Sequence, residues 1–460
     1  MNETKIERAM IADIERCLPG PAGDASIQGD HSFRSAYEVS ALASACLSAT
    51  ARQAARYAGL IGMRGDTRVQ RQLAAAWFTS TIRPIGWQVP APWDPIAGDF
   101  RCADGWLRIH TNAPLHKRAF QSVFGPLEDR SAVAAVLADV EAGAAESAIV
   151  AAGGCAARMM SAPEWAAHEQ GRALASQALI ELEHVALTTS PPVSRAATAA
   201  RPLIGIRVLD LTRILAGPTA TRALAALGAD VLRIDPPDWD EPALAPEVTV
   251  GKRCARLDLR LAGDRERFER LLSEADVLVH GYRPGALAGL GYDQARRREL
   301  APAAVEVSLC AYGLAGPWAG RRGFDSLVQM SSGIAHAGMA AFDDERPHPL
   351  PCQALDHATG YLLASAAIYG LAERLASRRS ICARTSLARS AEWLKAYPRD
   401  PALPTRNGDD ELSTDPDIEQ TQWGPARRLG MPISVDGRAL GFSRPASALG
   451  SSPARFGAPS

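Results

Sequence analysis

An α/β fold, a Rossmann-like parallel sheet with a smaller α+β domain beside it, is predicted by three features of the 460-residue sequence. Short apolar runs rich in β-branched residues alternate with helical stretches over residues 203–395. The spacing between runs leaves room for a helical crossover, which parallel pairing requires. Each run also ends in a loop rich in Gly or Pro.

The elements follow in order. IRVLDL (206–211) reads as a buried strand. AGPTATRALAALG (216–228) reads as a helix, with Pro218 suited to its first turn and Gly228 to its end. DVLRID (230–235) is the next strand, RERFERLLSEA (265–275) a helix, DVLVHGYR (276–283) a strand, and LAPAAVEVSLCAYG (300–313) contains another. In open parallel sheets ligands lie beyond the carboxyl ends of strands. Those ends are the loops 212–217, 235–237, 281–285 and 311–316.

Three regions are expected. Residues 1–195 are Ala-rich and helical in pattern, with a β-like patch at WDPIAGDFRCADGWLRIHTN (93–112). The Ser/Thr/Pro cluster at 188–202 reads as a linker to the 203–395 core, and 396–460 reads as a loop-rich, partly disordered tail.

Composition narrows the function classes. Lys plus Arg is 50 and Asp plus Glu is 51, for a net charge of −1. No broad surface for nucleic acid follows from that balance, although a small basic pocket is compatible with it. The eight cysteines are scattered without a CxxC, so neither a zinc site nor a disulfide framework is expected, and a cytoplasmic location is. The N-terminus lacks the apolar core of a signal peptide, and 132–154 is too acidic to cross a membrane, so no membrane association is expected. The first βα turn has no GxGxxG, and no GxxxxGK[ST] occurs, which argues against NAD and ATP. His110 and His116 are six apart without carboxylate support, and no metal is expected.

GIRVLDLTRILAGPTATRALAALGADVLRID, VGKRCARLDLR, ADVLVHGYRPGALAGLGY and GFDSLVQMSSGIA, in that order across 203–395, resemble the family III CoA-transferases. That superfamily includes carnitine-CoA transferases, formyl-CoA transferase and α-methylacyl-CoA racemases. The resemblance implies coenzyme A, carried on an acyl-CoA, as substrate, a free carboxylic acid as acceptor, and a homodimer. In PCQALDHATGYLLASAAIYGLAERL (351–375) it places the nucleophile at Asp356. From the residues alone, Asp356 before an apolar helix reads equally as a helix N-cap. A carboxylate attacks without a base because its ordinary pKa lies well below neutrality.

The resemblance also assigns Asp325 to tuning the nucleophile or the acyl pocket. Phe324 stands where the racemases place a His, and phenylalanine accepts no proton. The alternatives are an acyl-CoA racemase or isomerase, with His336 or His357 as replacement bases, or a catalytically impaired CoA-binding subunit. Coenzyme A contacts are implied at Arg213, Ile214 and Ala216, at Leu257, Asp258 and Arg260, at Gly281, Tyr282, Arg283 and Ala286, and at Arg322. Gly281 and Pro236 depart from formyl-CoA transferase, which has an amide and an Arg there. Finally, 94–170 resembles small-domain elements that usually follow the core, so a permuted or fused arrangement is expected.

Overall fold

The computed structural model describes residues 3–20, 23–187, 196–405, 412 and 417–457. Most of the linker expected at 188–202, and parts of the expected tail, lie outside the described residues.

The α/β expectation is met by a seven-stranded sheet. Its spatial order is Lys252–Arg256, Asp230–Asp235, Arg207–Leu211, Val277–His280, Val305–Cys310, Arg379–Ser386 and Glu181–Ala186. The first six strands pair in parallel and the last is antiparallel. Among the six parallel strands the chain visits Arg207–Leu211 first and then builds outward on both sides. The strand order therefore reverses there, which opens a crevice at the carboxyl ends. Val277–His280 is buried along its whole length, as its unbroken apolar sequence requires of a strand covered on both faces.

Four helices position the site: α1 (Val39–Leu60), α2 (Ala216–Ala226), α3 (Asp325–Ser331) and α4 (Ala354–Ala376). Helix α4 is buried along nearly all its length, between α1 and α2 and against the sheet. Its alanines and glycines make that possible, because small side chains let helix backbones approach closely. An added Cβ at Gly360 would lie 2.4 Å from the Ala216 carbonyl oxygen of α2 and 2.8 Å from the Thr219 Cβ. Across the other face, Thr50 Oγ1 of α1 lies 3.0 Å from Ser365 Oγ and donates to the Tyr361 carbonyl.

A buried polar cluster anchors the first βα loop. Lys252 Nζ donates to Asp210 Oδ2 at 3.2 Å and to the Pro218 carbonyl at 3.0 Å, and both charged side chains are fully buried. Asp210 also accepts from the Thr212 amide and hydroxyl and from Thr221 Oγ1. A paired and fully hydrogen-bonded buried charge is tolerated, whereas an unpaired one is not. The cluster thus ties the loop to α2 and to the edge strand Lys252–Arg256.

A smaller antiparallel sheet, Gly98–Arg101, Trp106–Ile109 and Ala156–Arg158, lies beside α3. Strands from the C-terminal segment pair with N-terminal ones: Gly424–Arg428 with Ile82–Pro84, and Ile433–Val435 with Thr67–Gln70. Among the described residues, no helix is long and apolar enough to cross a membrane.

Replacing Gly360 by Ala overpacks the α2–α4 crossing one turn beyond Asp356. The expected loss of unfolding free energy is about 1–3 kcal/mol, read from urea denaturation midpoints. An unchanged midpoint would show that the crossing is not close-packed.

Candidate active site

A cavity of about 480 Å³ opens at the carboxyl ends of the central strands. Its wall includes Arg213, Ile214 and Ala216 from the first βα loop and Gly281, Tyr282, Arg283 and Ala286 from the loop after Val277–His280. Arg322 and Phe324 lead into α3, and Asp356 comes from the first turn of α4. These expected site residues come together. Leu257, Asp258 and Arg260 do not reach the cavity. Leu257 packs in an apolar cluster with Leu211 and Ile234, and Asp258 takes the exposed Arg260 in a local ion pair at 2.7 Å. Asp325 lines a second cavity, which shares Ile214 with the first.

Asp325 sets the geometry of the two carboxyl groups. Its Oδ2 accepts from the backbone amides of Leu355 at 2.9 Å and Asp356 at 3.1 Å, and its Oδ1 accepts from Gln329 Nε2 at 2.5 Å. The cap on α4 is therefore made from thirty residues upstream. Asp356 itself is the third residue of the helix, not its N-cap as a residues-only reading allowed. The amides that the helix start would offer to an oxyanion are already engaged by Asp325.

The two carboxyls titrate as a buried pair. Burial raises the pKa of Asp325 to about 6, even though Gln329, the two amides and Arg108 favour its charge. Asp356 is raised well above the ordinary carboxylate range, by burial first and then by the Asp325 charge. Among the described residues, no donor is hydrogen-bonded to the Asp356 carboxyl oxygens. The three donors on Asp325 favour its ionised form, so the shared proton rests on Asp356. Both shifts oppose ionisation of the pair, whereas the resemblance takes the nucleophile as a carboxylate already ionised at neutral pH.

The cavity wall carries uncompensated positive charge. Arg213, Arg283 and Arg322 have no carboxylate partner within ion-pair distance among the described residues. Arg283 donates to the Gly320 carbonyl at 2.8 Å and Arg322 to the Gly153 carbonyl at 3.2 Å. Burial, with the Arg322 charge added, lowers the pKa of Arg283. Arg321, by contrast, is neutralised by Glu146 at 2.7 Å. Arg213 lies over two aromatic rings, 5.0 Å from the Trp239 centroid and 5.5 Å from that of Tyr282.

Ile214 has φ of +66°, an unusual conformation for a β-branched residue. Its amide donates to Glu241 Oε2 at 2.8 Å, and Glu241 is held by the fully buried Arg233. A buried ion cluster thus offsets the strain at the residue between the two cavities.

His336 and His357 line neither cavity. His357 is buried and stacks on Phe78, with ring centroids 5.1 Å apart, and burial lowers its pKa to about 3. Sequence reasoning missed Trp239, and considered His116 only as a metal ligand; both line the wall of the first cavity. Trp239 follows the strand end at 235–237 closely enough to have been included. His116 comes from the N-terminal region, and no local pattern connects it to this cavity.

Residues 203–411 match the model of CoA-transferase family III. The chain is 34% identical over 191 residues to the probable fatty acyl-CoA transferase Rv3272 of Mycobacterium tuberculosis, covering 38% of this chain and 48% of the relative. It is 34% identical over 199 residues to the acetyl-coenzyme A transferase nodX of Hypoxylon pulicicidum, covering 42% and 34%. It is 33% identical over 190 residues to the succinyl-CoA:glutarate CoA-transferase of Mus musculus, covering 38% and 42%. The chain thus spans less than half the length of these relatives. A crystal structure of Rv3272 superposes with a TM-score of 0.39 at 30% identity, covering 43% of this chain and 58% of that one.

The buried pair has a consequence for stability. The raised pKa of Asp356 means that the folded chain binds its proton more tightly than the unfolded chain does. That stabilisation is fully present below about pH 4 and is lost as pH rises through the folded value. Asp356→Asn, which never ionises, is expected to melt above the parent at pH 8, with the difference closing toward pH 4. Superimposable melting temperatures across this range would contradict the assignment of the proton.

Proposed function

We propose that the protein is a CoA-transferase, moving coenzyme A between an acyl-CoA and a carboxylic acid with Asp356 as nucleophile. The observation that carries this reading is one cavity holding Asp356 and three arginines that lack carboxylate partners. An uncompensated arginine group suits phosphate, which it contacts through forked, charge-assisted hydrogen bonds. The family match over 203–411 supports the same class, as do relatives named for CoA transfer.

In this reading the nucleotide end of coenzyme A lies near Arg213, Trp239 and Tyr282, and its phosphates lie near Arg283 and Arg322. The thioester then reaches Asp356. Asp356 releases its proton to solvent through the cavity it lines; its oxygen then attacks the acyl carbonyl, the C–S bond breaks, and CoA leaves as thiolate. The thiolate attacks the aspartyl carbonyl of the mixed anhydride and releases the donor acid, leaving an aspartyl-CoA thioester. The acceptor carboxylate attacks that thioester, and the same steps run in reverse. Dividing the transfer this way replaces one high barrier with several lower ones. Asp325 is a positioning residue: by holding the Leu355 and Asp356 amides it fixes the first turn of α4 and the aim of the nucleophile.

The functional unit we propose is the 203–395 core, completed by side chains from 92–116. A cytoplasmic homodimer with acyl-CoA and a free acid as its small-molecule partners remains part of the reading, supported by the family resemblance.

Asp356→Ala is expected to lower exchange between acetyl-CoA and a free acid by at least about a thousandfold. Its affinity for CoA, measured by calorimetry, should change by less than about threefold. Near-native exchange in this variant would overturn the assignment.

A further inference from the structure

The second cavity, of about 410 Å³, adjoins the first at Ile214, which lines both, and its His110 stacks on Phe324 of the first at a centroid distance of 3.8 Å. Asp325 lies on its wall, beside Asp356. Most of the wall is apolar, with prolines at 347, 349 and 351. One cation faces it, Arg108 from the small sheet. Arg108 Nη1 donates to Asp99 at 2.7 Å, and its guanidinium lies 5.0 Å from the Trp93 centroid. Only that one of its nitrogens is hydrogen-bonded among the described residues, and its buried Nε has no partner. Two further polar atoms, His110 Nδ1 and Ser326 Oγ, are buried here without partners.

An apolar chamber that needed only to hold a hydrocarbon chain would gain nothing from a half-used guanidinium. A buried donor left unpaired costs free energy, and an incoming acceptor relieves that cost. A monocarboxylic acid presenting its one carboxylate to the Asp356 side would leave Arg108 unsatisfied. We propose that this cavity is the acid subsite and that it selects acids carrying a second carboxylate, which pairs with Arg108. The inference rests on the transferase reading for the identity of the reacting end. Recognition at Arg108 is independent of turnover. Arg108 then acts as a specificity residue: its free N–H groups face the distal carboxylate, while Asp99 holds the other edge of the fork and Trp93 supports its face. Because Asp99 and Asp325 both border the cavity, a diacid is accepted only where its distal end meets the guanidinium.

The test compares glutarate with valerate, acids of equal chain length, by ligand-observed NMR binding to the 460-residue chain and by exchange from acetyl-CoA. Arg108→Gln combined with Asp99→Asn removes the cation without leaving a lone buried charge, and Arg108→Lys keeps the charge while losing the fork. The parent should bind glutarate at least about tenfold more tightly than valerate, and the double variant should lose that preference while valerate changes by less than about threefold. Arg108→Lys should fall between them. Equal affinity of the parent for both acids, absence of glutarate binding, or equal loss of both acids in the double variant would overturn the subsite. Arg108-dependent glutarate binding without any exchange would uphold the subsite and remove the transferase reading.

Discussion

The arrangement of the site depends on one interaction, in which Asp325 accepts both the Leu355 and Asp356 amides at the start of α4. It joins two elements that are thirty residues apart and fixes where α4 begins. It also places a second carboxyl beside the first in a buried space. Like charges that close in a low dielectric cannot both ionise cheaply, so one proton is retained. Asp325 is satisfied by three donors while Asp356 has none among the described residues, so the charge is favoured on Asp325 and the proton on Asp356. A conventional cap from the preceding residue would have stabilised the helix without this coupling.

The rest of the molecule holds that pair against relaxation. Helix α4 cannot slide, because Gly360 lies against the α2 backbone and Thr50 ties α1 to its opposite face. The first βα loop is fixed from below by Asp210 and Lys252 and from the side by Glu241, which holds Ile214 in its left-handed conformation. These buried charges are paired, whereas Arg213, Arg283 and Arg322 are not. A net charge of −1 therefore conceals a local excess of positive charge at one edge of the sheet. Compositional bias explains most of the arginines, and Arg213, Arg283 and Arg322 combine a place on the cavity wall with no carboxylate partner among the described residues.

Much of the core was legible because strand and helix alternate with clear periodicity and each strand ends in a Gly- or Pro-rich loop. The residues around Arg213, Tyr282 and Arg283 were legible for the same reason, since a strand's carboxyl end must face the crevice. Other features depended on distant contacts. Asp325 as the cap of α4 has no local pattern, and Asp356 therefore read as its own cap. The 257–260 loop matched by position, but Leu257 turns into the core and Arg260 folds back on Asp258. The second cavity combines residues near 92–112 with residues near 347–353, segments that no spacing rule connects. His110 of this cavity and His116 of the first were conspicuous in the sequence only as a weak metal pattern. Their packing against Phe324 came from the fold.

The central claim is that Asp356 carries coenzyme A covalently during transfer. Peptide mass mapping after rapid acid quench of the protein with an acyl-CoA donor tests it directly. The account predicts a CoA thioester on the peptide containing Asp356, cleared when an acceptor acid is added. Turnover without any adduct, or an adduct confined to another side chain such as Cys352 in the neighbouring cavity, would contradict it.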